Sequence, residues 1–517
     1  MKRYTQNYTF ISTLLLVFSA SVILHLWVTK AGIGIQGDAS PYILTARSLK
    51  AGQGFYILDE PMAIWAPFYP MLLAFWGFLG ATIEVTARYM HAVIYGLNSV
   101  LFAVLIYINT RRHIVATIIG ALFFLSSGVI LFIHSIAWSE SSFLLFTFIS
   151  CILLLSFINS GKSLFLILSS LALGAAIATR YAGISLLPPA VLITFFLLKK
   201  PLFKRIKAIA GMVTIALTPI LIWTIRNQFV VGTLADRTPM YHPRSFSTIA
   251  NSFVNVFHGF ILSDPGSKYI RIAELLLIAL IFLFITYKVF THRITLVESE
   301  PISFAFSIFG ILFSVSYLFV LLITIYLLDA AVPVDSRLLI PVLVFLALTA
   351  FTLVYLFTRV IKKPVIWPIF LLFVVFSIRI NTPSTFLQAK EMHTNGIGFN
   401  SYSWQDSSLM TFLRSEQPTS KIYSNGYNVI PVLTNIDAFT IPQLFSNNTQ
   451  IKNIHLEQEI KDMCLEVKKG NAVIIYMEGI SKKNLPEEEQ LLEKCELPVL
   501  TSMGDGTIYG YNLHGTP

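Results

Sequence analysis

The chain has 517 residues, of which 55% are hydrophobic and only 12% are charged, and its formal net charge is +10. This composition excludes an ordinary soluble globular protein and predicts a polytopic membrane protein. The excess of lysine and arginine does not indicate nucleic-acid binding, because the basic residues stand at the ends of apolar runs, where the positive-inside rule expects them.

Apolar runs of roughly 20 residues, the length that crosses a hydrocarbon core, predict about eleven membrane spans before residue 380. The first follows Met1-Lys2-Arg3 without a cleavage site, so we expect a retained anchor with a cytoplasmic N terminus. The basic clusters, such as Arg111-Arg112 and those within 199–207, then all fall on the cytoplasmic side. The predicted spans are 10–29, 86–108, 114–133, 138–158, 163–179, 182–198, 208–224, 271–290, 302–328, 338–358 and 364–380.

Two long loops are predicted on the outer side, at 30–85 and 225–270. The first contains the apolar stretch 67–80, which is too short to span the membrane. If it did cross, the basic clusters at 111–112 and 199–207 would lie on the outer side. We therefore expect helices near 39–51 and 67–80, the latter lying along the outer leaflet, and a similar interfacial helix at 248–262. Residues 1–380 are predicted to form one transmembrane domain.

Residues 381–517 change character, with lower hydropathy and mixed charge, and predict a small soluble α/β domain on the extracytoplasmic side. Strands are expected at 421–423, 472–477 and 507–512, and helices at 403–415, 455–469 and 486–494. The three cysteines lack the spacing of a zinc or redox site. Cys151 is expected in the core, whereas Cys464 and Cys495 form either a disulfide or two buried thiols.

The letters G-I-G-I-Q-G at 32–37 match a dinucleotide-binding pattern, but that motif needs a preceding strand in a soluble βαβ unit. Here it follows a membrane span, so we expect the glycines to let the chain leave the bilayer and turn. The sequence has no D-x-D motif, which commonly binds a metal-nucleotide complex. We therefore predict no nucleotide-bound metal, and the sequence assigns no cofactor.

Asp38 follows these glycines at the membrane boundary and precedes the predicted helix S-P-Y-I-L-T-A-R, in which Ser40 can cap and Pro41 suits the first turn. A carboxylate at the edge of a low-dielectric region suits a general base. Asp38 is equally suited to be a helix cap, since aspartate is a preferred N-cap residue. Both interpretations stay open on this residue alone.

Three arginines, Arg180, Arg226 and Arg337, stand where predicted spans meet the outer side. Charged groups at such depth are costly and tend to be functional or paired. Guanidinium groups bind phosphate with two prongs, so the three together predict a phosphate site. The alternative is simple snorkelling, with Arg337 paired to Asp335 or Asp329. Glu140 begins another span from the outside and could pair with one arginine or cap its own helix.

These motifs share their order and spacing with a known group of enzymes: G-D-A-S-P-Y at 37–42, A-P-F-Y-P at 66–70, A-T-R-Y-A-G at 178–183, W-T-I-R-N at 223–227 and D-S-R-L-L-I-P at 335–341. Over residues 1–380 the chain resembles the membrane-embedded C-type (GT-C) glycosyltransferases. The likeness is greatest to the branch of protein O-mannosyltransferases and lipid A aminoarabinose transferases.

The resemblance implies a polytopic helical GT-C fold and an inverting transfer of a sugar, hexose or pentose, from a polyprenyl-phosphate donor to a lipid, glycan or protein acceptor. This transfer is expected at the outer face of the plasma (inner) membrane. It implies Asp38 as the catalytic base, and the predicted phosphate site of Arg180, Arg226 and Arg337 is then expected to bind the donor phosphate. The residues expected to support the site are Tyr42, Arg47, Glu140, Tyr181, Asn227 and Asp335.

The chain departs from the family at two points. Asp38 is followed by Ala39 where the mannosyltransferases have an Asp-Glu pair. The further glutamate of the aminoarabinose branch is also missing, because Ile64-Trp65-Ala66 stands there. Asp59 and Glu60 are candidates for a second acid, several residues early. These departures put a bound divalent metal in doubt, and no protein metal ligand is assigned.

Two other functions are compatible with the same apolar composition. A lipid or solute transporter is expected to show inverted repeats and charges near mid-bilayer, whereas these charges cluster at one face and the halves do not resemble each other. A non-catalytic membrane-anchored binding protein needs no Asp38. The sequence therefore favours a glycosyltransferase whose partners are a polyprenyl-phosphate sugar, an envelope acceptor and the bilayer, with no nucleic acid.

Overall fold

The computed structural model of the chain describes residues 2–262, 267–446 and 449–515, with side chains from Tyr8 onward. Its first 395 residues are mainly helical. The α-helices there are α1 (Lys2–Val28), α2 (Ala39–Lys50), α3 (Phe68–Gly77), α4 (Ile83–Asn109), α5 (Ile114–Leu125), α6 (Gly128–His134), α7 (Glu140–Ser160), α8 (Ser163–Thr179), α9 (Leu187–Leu197), α10 (Leu202–Val231), α11 (Phe246–Ile261), α12 (Lys268–Thr291), α13 (Arg293–Ser299), α14 (Pro301–Ile323), α15 (Ser336–Ile361) and α16 (Ile366–Asn395). A 3₁₀-helix, Tyr181–Leu186, precedes α9, and a π-helical turn, Thr324–Leu328, follows α14.

Within the described residues, eight helices are long and apolar enough to cross a membrane. They are α1 from Tyr8 onward, α4, α7, α10, α12, α14 with its π-helical turn, α15 and α16. The consecutive helices α5 and α6 form a ninth span if they are counted together, although the chain bends by 64° between them. The protein is therefore a multi-pass membrane protein with a mainly helical fold.

All eleven predicted spans fall on helices, but two of these helices are short. The segment 163–179 is α8, with 17 residues, and the segment 182–198 is the 3₁₀-helix with α9. At about 1.5 Å per residue, α8 reaches only about 25 Å, less than a hydrocarbon core of about 30 Å. Both pack against longer helices, α8 against α7 and α10 and α9 against α14.

The helices predicted in the outer loops are present as α2, α3 and α11. In α3 the side chains of Tyr69 and Leu73 are buried. Phe75 near its C-terminal end is exposed, as are Phe78 and Leu79, which directly follow the helix. An exposed apolar surface of this kind needs a lipid or protein neighbour. The interfacial position predicted for this helix agrees with that exposure.

The predicted cytoplasmic loops meet at one end of the bundle. The buried carboxylate of Glu300, between α13 and α14, is paired with Arg111 after α4 at 2.7 Å and with Arg359 near the end of α15 at 3.7 Å. The helices α4, α7 and α15 all run toward this end from the end that carries Asp38. The basic residues of the predicted cytoplasmic loops and Asp38 therefore lie at opposite ends of the helical bundle.

The last predicted span continues as a single helix, α16, through residue 380 to Asn395. The tail then forms a five-stranded sheet in the order β4-β3-β5-β7-β6, after the small first-loop hairpin of β1 (Tyr56–Ile57) and β2 (Glu60–Pro61). The remaining elements are β3 (Lys421–Ser424), β4 (Ala438–Thr440), β5 (Ala472–Met477), β6 (Val499–Met503), β7 (Gly506–Tyr509), α17 (Tyr402–Gln405), α18 (Ser408–Glu416), α19 (Ile430–Thr434), α20 (Leu456–Lys468) and α21 (Glu488–Cys495).

Strands β3, β4 and β5 are parallel, whereas β7 runs antiparallel to β5 and β6. This α/β arrangement agrees with the strands and helices predicted for the tail. Cys464 on α20 and Cys495 on α21 form a disulfide, which decides between the two states left open by the sequence. Cys151 is a buried free cysteine in α7, as predicted.

The tail is docked onto the first outer loop. The amide of Phe399 donates to the carbonyl of Ile35 at 2.8 Å, and Asn400 donates to the carbonyl of Ile33 at 2.7 Å. Gly34 is required in this contact, because an added Cβ would lie 2.7 Å from Ile397 and 2.8 Å from Ile136. The tail therefore contacts the segment that leads directly into Asp38.

Candidate functional site

Asp38 occupies the N-cap position of α2, but its carboxylate makes no capping hydrogen bond. The preceding Gly37 has a left-handed φ of +54°, which agrees with the predicted turn after the first span. The prediction that Ser40 caps this helix is wrong: Asp38 already has helical φ and ψ, so the helix begins at Ala39 and Ser40 is buried inside its first turn. The carboxylate of Asp38 is paired instead with the guanidinium of Arg337.

Glu140, the first residue of α7, joins two of the predicted arginines. Its Oε1 lies 2.5 Å from Nε of Arg337 and 2.5 Å from Nη1 of Arg180. The Glu140 side chain is 1% exposed, and a carboxylate so deeply buried is destabilising unless it is paired and hydrogen-bonded. Asp38, Arg337, Glu140 and Arg180 thus form one continuous series of ion pairs, named here the ion-pair chain. It is formally neutral.

The exposure changes along the ion-pair chain. Asp38 is 30% exposed, whereas Arg337 is 19% and Arg180 13% exposed. Asp38 is therefore the acid that a substrate can reach, and Glu140 is the acid that fixes the two guanidinium groups. A guanidinium has five N–H donors, more than the two contacts of Arg337 to carboxylates require. The arrangement can receive an additional anion without losing Glu140.

The residues before Glu140 complete the surroundings of the two arginines. The Trp138 ring centroid lies 4.6 Å from the guanidinium carbon of Arg337, and the Trp138 indole donates to the carbonyl of Gln36 at 2.9 Å. Ser139 accepts a hydrogen bond from Arg180 at 3.2 Å and lies 3.3 Å from the Tyr42 hydroxyl. Burial, and secondly the charge of Asp38, raises the pKa of Tyr42, so its hydroxyl stays protonated at neutral pH.

Arg226 does not join the ion-pair chain, so the three arginines do not converge as predicted. Its guanidinium donates to the backbone carbonyls of Met62 at 2.7 Å and Phe55 at 3.3 Å, and lies 4.8 Å from the ring centroid of Trp223. The sequence could not show this difference, because these carbonyls belong to a loop more than 160 residues away. Arg226 anchors the first outer loop.

Tyr181 and Asn227 support the same loop. Asn227 donates to the carbonyl of Ala63 at 3.3 Å, and the Tyr181 hydroxyl donates to the same carbonyl at 3.3 Å. The Trp223 indole donates to the Tyr181 hydroxyl at 3.0 Å. Because Tyr181 directly follows Arg180 in the chain, this group connects the first outer loop to the ion-pair chain.

Two further predicted supporting residues have local roles. Arg47 is paired with Glu84 at 2.5 Å and donates to the carbonyls of Pro431 and Val432 in the tail, so it helps dock the tail onto α2. Asp335 is the N-cap of α15, where its carboxylate accepts from the Leu338 amide at 3.1 Å. The alternative pairing of Arg337 with Asp335 or Asp329 is wrong.

Arg337 does not pair with Asp335 or Asp329 because both acids are engaged elsewhere. Asp335 caps α15, and Asp329 is paired with Arg237 at 3.2 Å. The candidate second acids, Asp59 and Glu60, lie exposed in the β1–β2 hairpin. Burial, together with the charge of Asp59, raises the pKa of Asp437 in the tail, which places Asp59 near the tail.

A divalent metal fits this site poorly. Among the described residues, no group of three or more His, Cys, Asp and Glu side chains is arranged to hold a metal ion. The two carboxylates of the ion-pair chain, Asp38 and Glu140, both contact guanidinium groups, whose positive charge repels a cation. The side chains of the ion-pair chain are therefore suited to binding an anion or accepting a proton.

Sequence reasoning missed three residues that shape the site: Trp138, Ser139 and Trp223. Trp138 and Ser139 lie in A-W-S-E-S-S, directly before the acid that was singled out, and an aromatic ring beside a buried acid is a recognisable companion of arginine. Trp223 lies three residues before Arg226 on α10, the spacing that places two side chains on one helix face.

No protein-family model matches this sequence, and no curated protein sequence matches it. The structure is similar to crystal structures of ArnT from Cupriavidus metallidurans. For ArnT bound to undecaprenyl phosphate the TM-score is 0.59 at 14% identity, over 97% of this chain and 99% of that chain. For apo ArnT the TM-score is 0.57 at 13% identity, over 96% and 97%.

A third structure, the oligosaccharyltransferase AglB from Archaeoglobus fulgidus, aligns with a TM-score of 0.45 at 12% identity, over 90% of this chain and 69% of that chain. The two ArnT alignments extend over nearly the whole of both chains. They show that this chain has the GT-C fold, which the motifs of residues 1–380 predicted, and the likeness extends over the tail as well.

Proposed function

We propose that this chain, which has the GT-C fold, is an inverting glycosyltransferase that moves a sugar from a polyprenyl-phosphate donor to a cell-envelope acceptor. The observation that carries the proposal is the ion-pair chain, in which an accessible carboxylate lies beside two arginines held by a buried glutamate. Support comes from ArnT, a protein of the same fold that was crystallised with undecaprenyl phosphate.

In the proposed reaction, the acceptor hydroxyl attacks the anomeric carbon of the donor and gives its proton to the carboxylate of Asp38. The bond between this carbon and the phosphate oxygen breaks, and the polyprenyl phosphate leaves with the bonding electrons. A single base on the face opposite the leaving group is sufficient for inversion, by analogy with inverting glycosidases. Asp38 suits this role because its side chain is partly exposed and is not used as a helix cap.

Arg337 and Arg180 are the proposed ligands of the leaving phosphate. Charge-assisted hydrogen bonds from guanidinium to phosphate are stronger than neutral ones and stabilise the charge that develops as the bond breaks. Glu140 keeps both side chains in place before the donor arrives, so little ordering is left for the binding step. Arg226 is assigned to the first outer loop and not to the phosphate.

The donor phosphate and Asp38 compete for Arg337 in this proposal. Arg337 contacts Asp38 and Glu140 in the structure, and Glu140 is the more buried of the two acids. A phosphate that approaches from the accessible side therefore displaces Asp38 while the contact with Glu140 persists. The displaced carboxylate is then free to accept the proton of the acceptor hydroxyl, so donor binding and activation of the base are coupled.

The chemistry is proposed at the outer face of the plasma (inner) membrane, with a cytoplasmic N terminus and an extracytoplasmic tail. Charge sorting supports this orientation, because the predicted cytoplasmic loops gather at the end opposite Asp38. The Cys464–Cys495 disulfide is a second support, since disulfides persist in oxidising compartments outside the cytoplasm.

The proposal is tested with the purified protein in nanodiscs, radiolabelled hexosyl and pentosyl undecaprenyl phosphates, and envelope fractions as acceptor. We expect label in the acceptor and release of undecaprenyl phosphate, and we expect Asp38→Asn to abolish both. An absence of transfer from every donor, together with no measurable binding of undecaprenyl phosphate, would exclude this function.

A further inference from the structure

A buried polar cluster lies directly behind the ion-pair chain and has no role in the chemistry described so far. It consists of His25 on α1, His91 and Asn98 on α4, His134 at the end of α6 and Tyr69 on α3. All five residues are buried, and none contacts the ion-pair chain through a side-chain hydrogen bond or ion pair. Such groups are costly to bury unless their hydrogen bonds are made.

The cluster converges on one backbone carbonyl, that of His134. Nε2 of His25 lies 2.9 Å from this oxygen and Nδ1 of His91 lies 2.9 Å from it. A carbonyl oxygen only accepts, so both ring nitrogens must donate. The second nitrogen of His91 lies 2.7 Å from the Tyr69 hydroxyl, and in the neutral ring it accepts from that hydroxyl.

The His134 ring is fixed in the same way. Its Nδ1 donates to the carbonyl of Ile130 at 2.7 Å, so its Nε2 is left to accept from the Asn98 amide at 2.9 Å. The same amide nitrogen donates to the carbonyl of Ser141 at 2.9 Å. The end of α6 and the start of α7 are thus both tied to α4, through hydrogen bonds that the neutral rings of His91 and His134 can make.

Between these two attachment points lies the turn 135–140, which contains the residues that contact both arginines. Its backbone pairs with the segment before Asp38: Gly34 donates to the carbonyl of Ser135 at 2.8 Å, and Ala137 donates to the carbonyl of Gly34 at 2.9 Å. One turn therefore sets the position of Glu140 and, through Gly34, the position of Asp38.

We infer that His91 is a positioning residue for the proposed transfer reaction: by donating to the His134 carbonyl it holds the turn 135–140, and thereby the distance between the base and the phosphate-binding arginines. The inference rests on the proposed function for its kinetic consequence. Its structural consequence, the fixed pairing of this turn with Gly34, does not depend on that function.

The test compares His91→Phe, which removes every hydrogen bond of the ring, including the 3.3 Å contact of Nδ1 with the Ser141 hydroxyl, with His91→Asn, whose amide retains an N–H donor. The matched control is His258→Phe, because His258 on α11 is also buried but is paired with Glu274 at 2.8 Å, away from the turn. Three properties are measured on each full-length protein: the Tm, the hydrogen exchange of the Gly34 and Ala137 amides, and kcat and KM.

We expect His91→Phe to accelerate exchange at Gly34 and Ala137 selectively and to lower kcat by roughly 10²-fold with a smaller change in KM, the size of effect that a misplacement of about 1 Å produces. His91→Asn should recover part of kcat, and His258→Phe should change the Tm but leave kcat unchanged. If the wild-type protein transfers no sugar, the exchange measurement still decides the inference, so the two failures are distinguishable.

Two results would overturn the role of His91. One is unchanged exchange at Gly34 and Ala137 in a folded His91→Phe protein. The other is exchange that accelerates throughout the chain with a fall in Tm equal to that of His258→Phe, which would show that His91 contributes to general stability alone. Should His91→Phe fail to fold, the smaller His91→Leu, which also lacks the donor, supplies the same two measurements.

Discussion

The substitution Asp38→Asn separates the proposed role of this residue as a base from its ion pair with Arg337. Asparagine keeps the size of the side chain and removes the proton acceptor, so general-base catalysis is lost. It also removes the negative charge that is paired with Arg337. Because a donor phosphate competes with that charge, the variant should bind undecaprenyl phosphate more tightly than the wild type while it transfers almost nothing.

The two magnitudes follow from different physical effects. A positioned general base contributes about 10²–10⁴-fold to the rate, so kcat should fall by at least about 10²-fold. Since Asp38 is 30% exposed, its pair with Arg337 is screened by solvent and resembles a surface ion pair. Such a pair contributes about 1 kcal/mol or less, so the Kd for undecaprenyl phosphate should fall by up to about fivefold.

The assay measures transfer and undecaprenyl phosphate affinity on the same purified protein in nanodiscs. Asp236→Asn is the matched control, because Asp236 is an exposed aspartate of the second outer loop outside the ion-pair chain. The control should change neither property. An Asp38→Asn protein that retains more than about a tenth of wild-type transfer would refute the base. A weaker affinity for undecaprenyl phosphate would refute the competition for Arg337.

The remaining predictions concern the arginines and the orientation. Arg337→Ala and Arg180→Ala should each weaken undecaprenyl phosphate binding at least about tenfold, with Lys restoring Arg337 only in part because an ammonium lacks the two-pronged geometry; unchanged affinity in isothermal titration would contradict this. Arg226→Ala should leave that affinity within about threefold and accelerate proteolysis of the first outer loop, whose carbonyls Arg226 contacts. In intact cells, a cysteine at Gln53 should react with a membrane-impermeant maleimide and one at Arg205 should not; the opposite pattern would invert the orientation.

Much of the fold was predictable because membrane helices obey a length and composition rule that acts locally. The short helices α8 and α9 were recognisable as apolar segments. Their ends could not be predicted, because these depend on the helices that pack against them. The continuation of α16 to Asn395 was not predictable from hydropathy, since the helix leaves the apolar region and runs on through Pro383, a residue type that commonly marks a helix end. Tertiary contacts decide such boundaries.

The site was predictable only as a set of residue types on one membrane face. The sequence indicated Asp38, Glu140 and the arginines, but it could not show that Glu140 binds Arg180 and Arg337 while Arg226 binds backbone carbonyls. Those pairings join residues about 40 to 200 positions apart and depend on how the helices pack. The N-cap interpretation of Asp38 failed for a similar reason, because Arg337 supplies a partner that no local pattern reveals.

The proposed binding site of the donor phosphate is the ion-pair chain, and a cryo-EM structure of the full-length protein in nanodiscs with undecaprenyl phosphate would locate that phosphate. We expect the phosphate within hydrogen-bond distance of Arg337 and Arg180, with Glu140 still paired to both and Asp38 released from Arg337. A phosphate bound instead at the opposite end, beside Arg111 and Arg359, or an Asp38–Arg337 pair unchanged beside the bound lipid, would contradict this proposal.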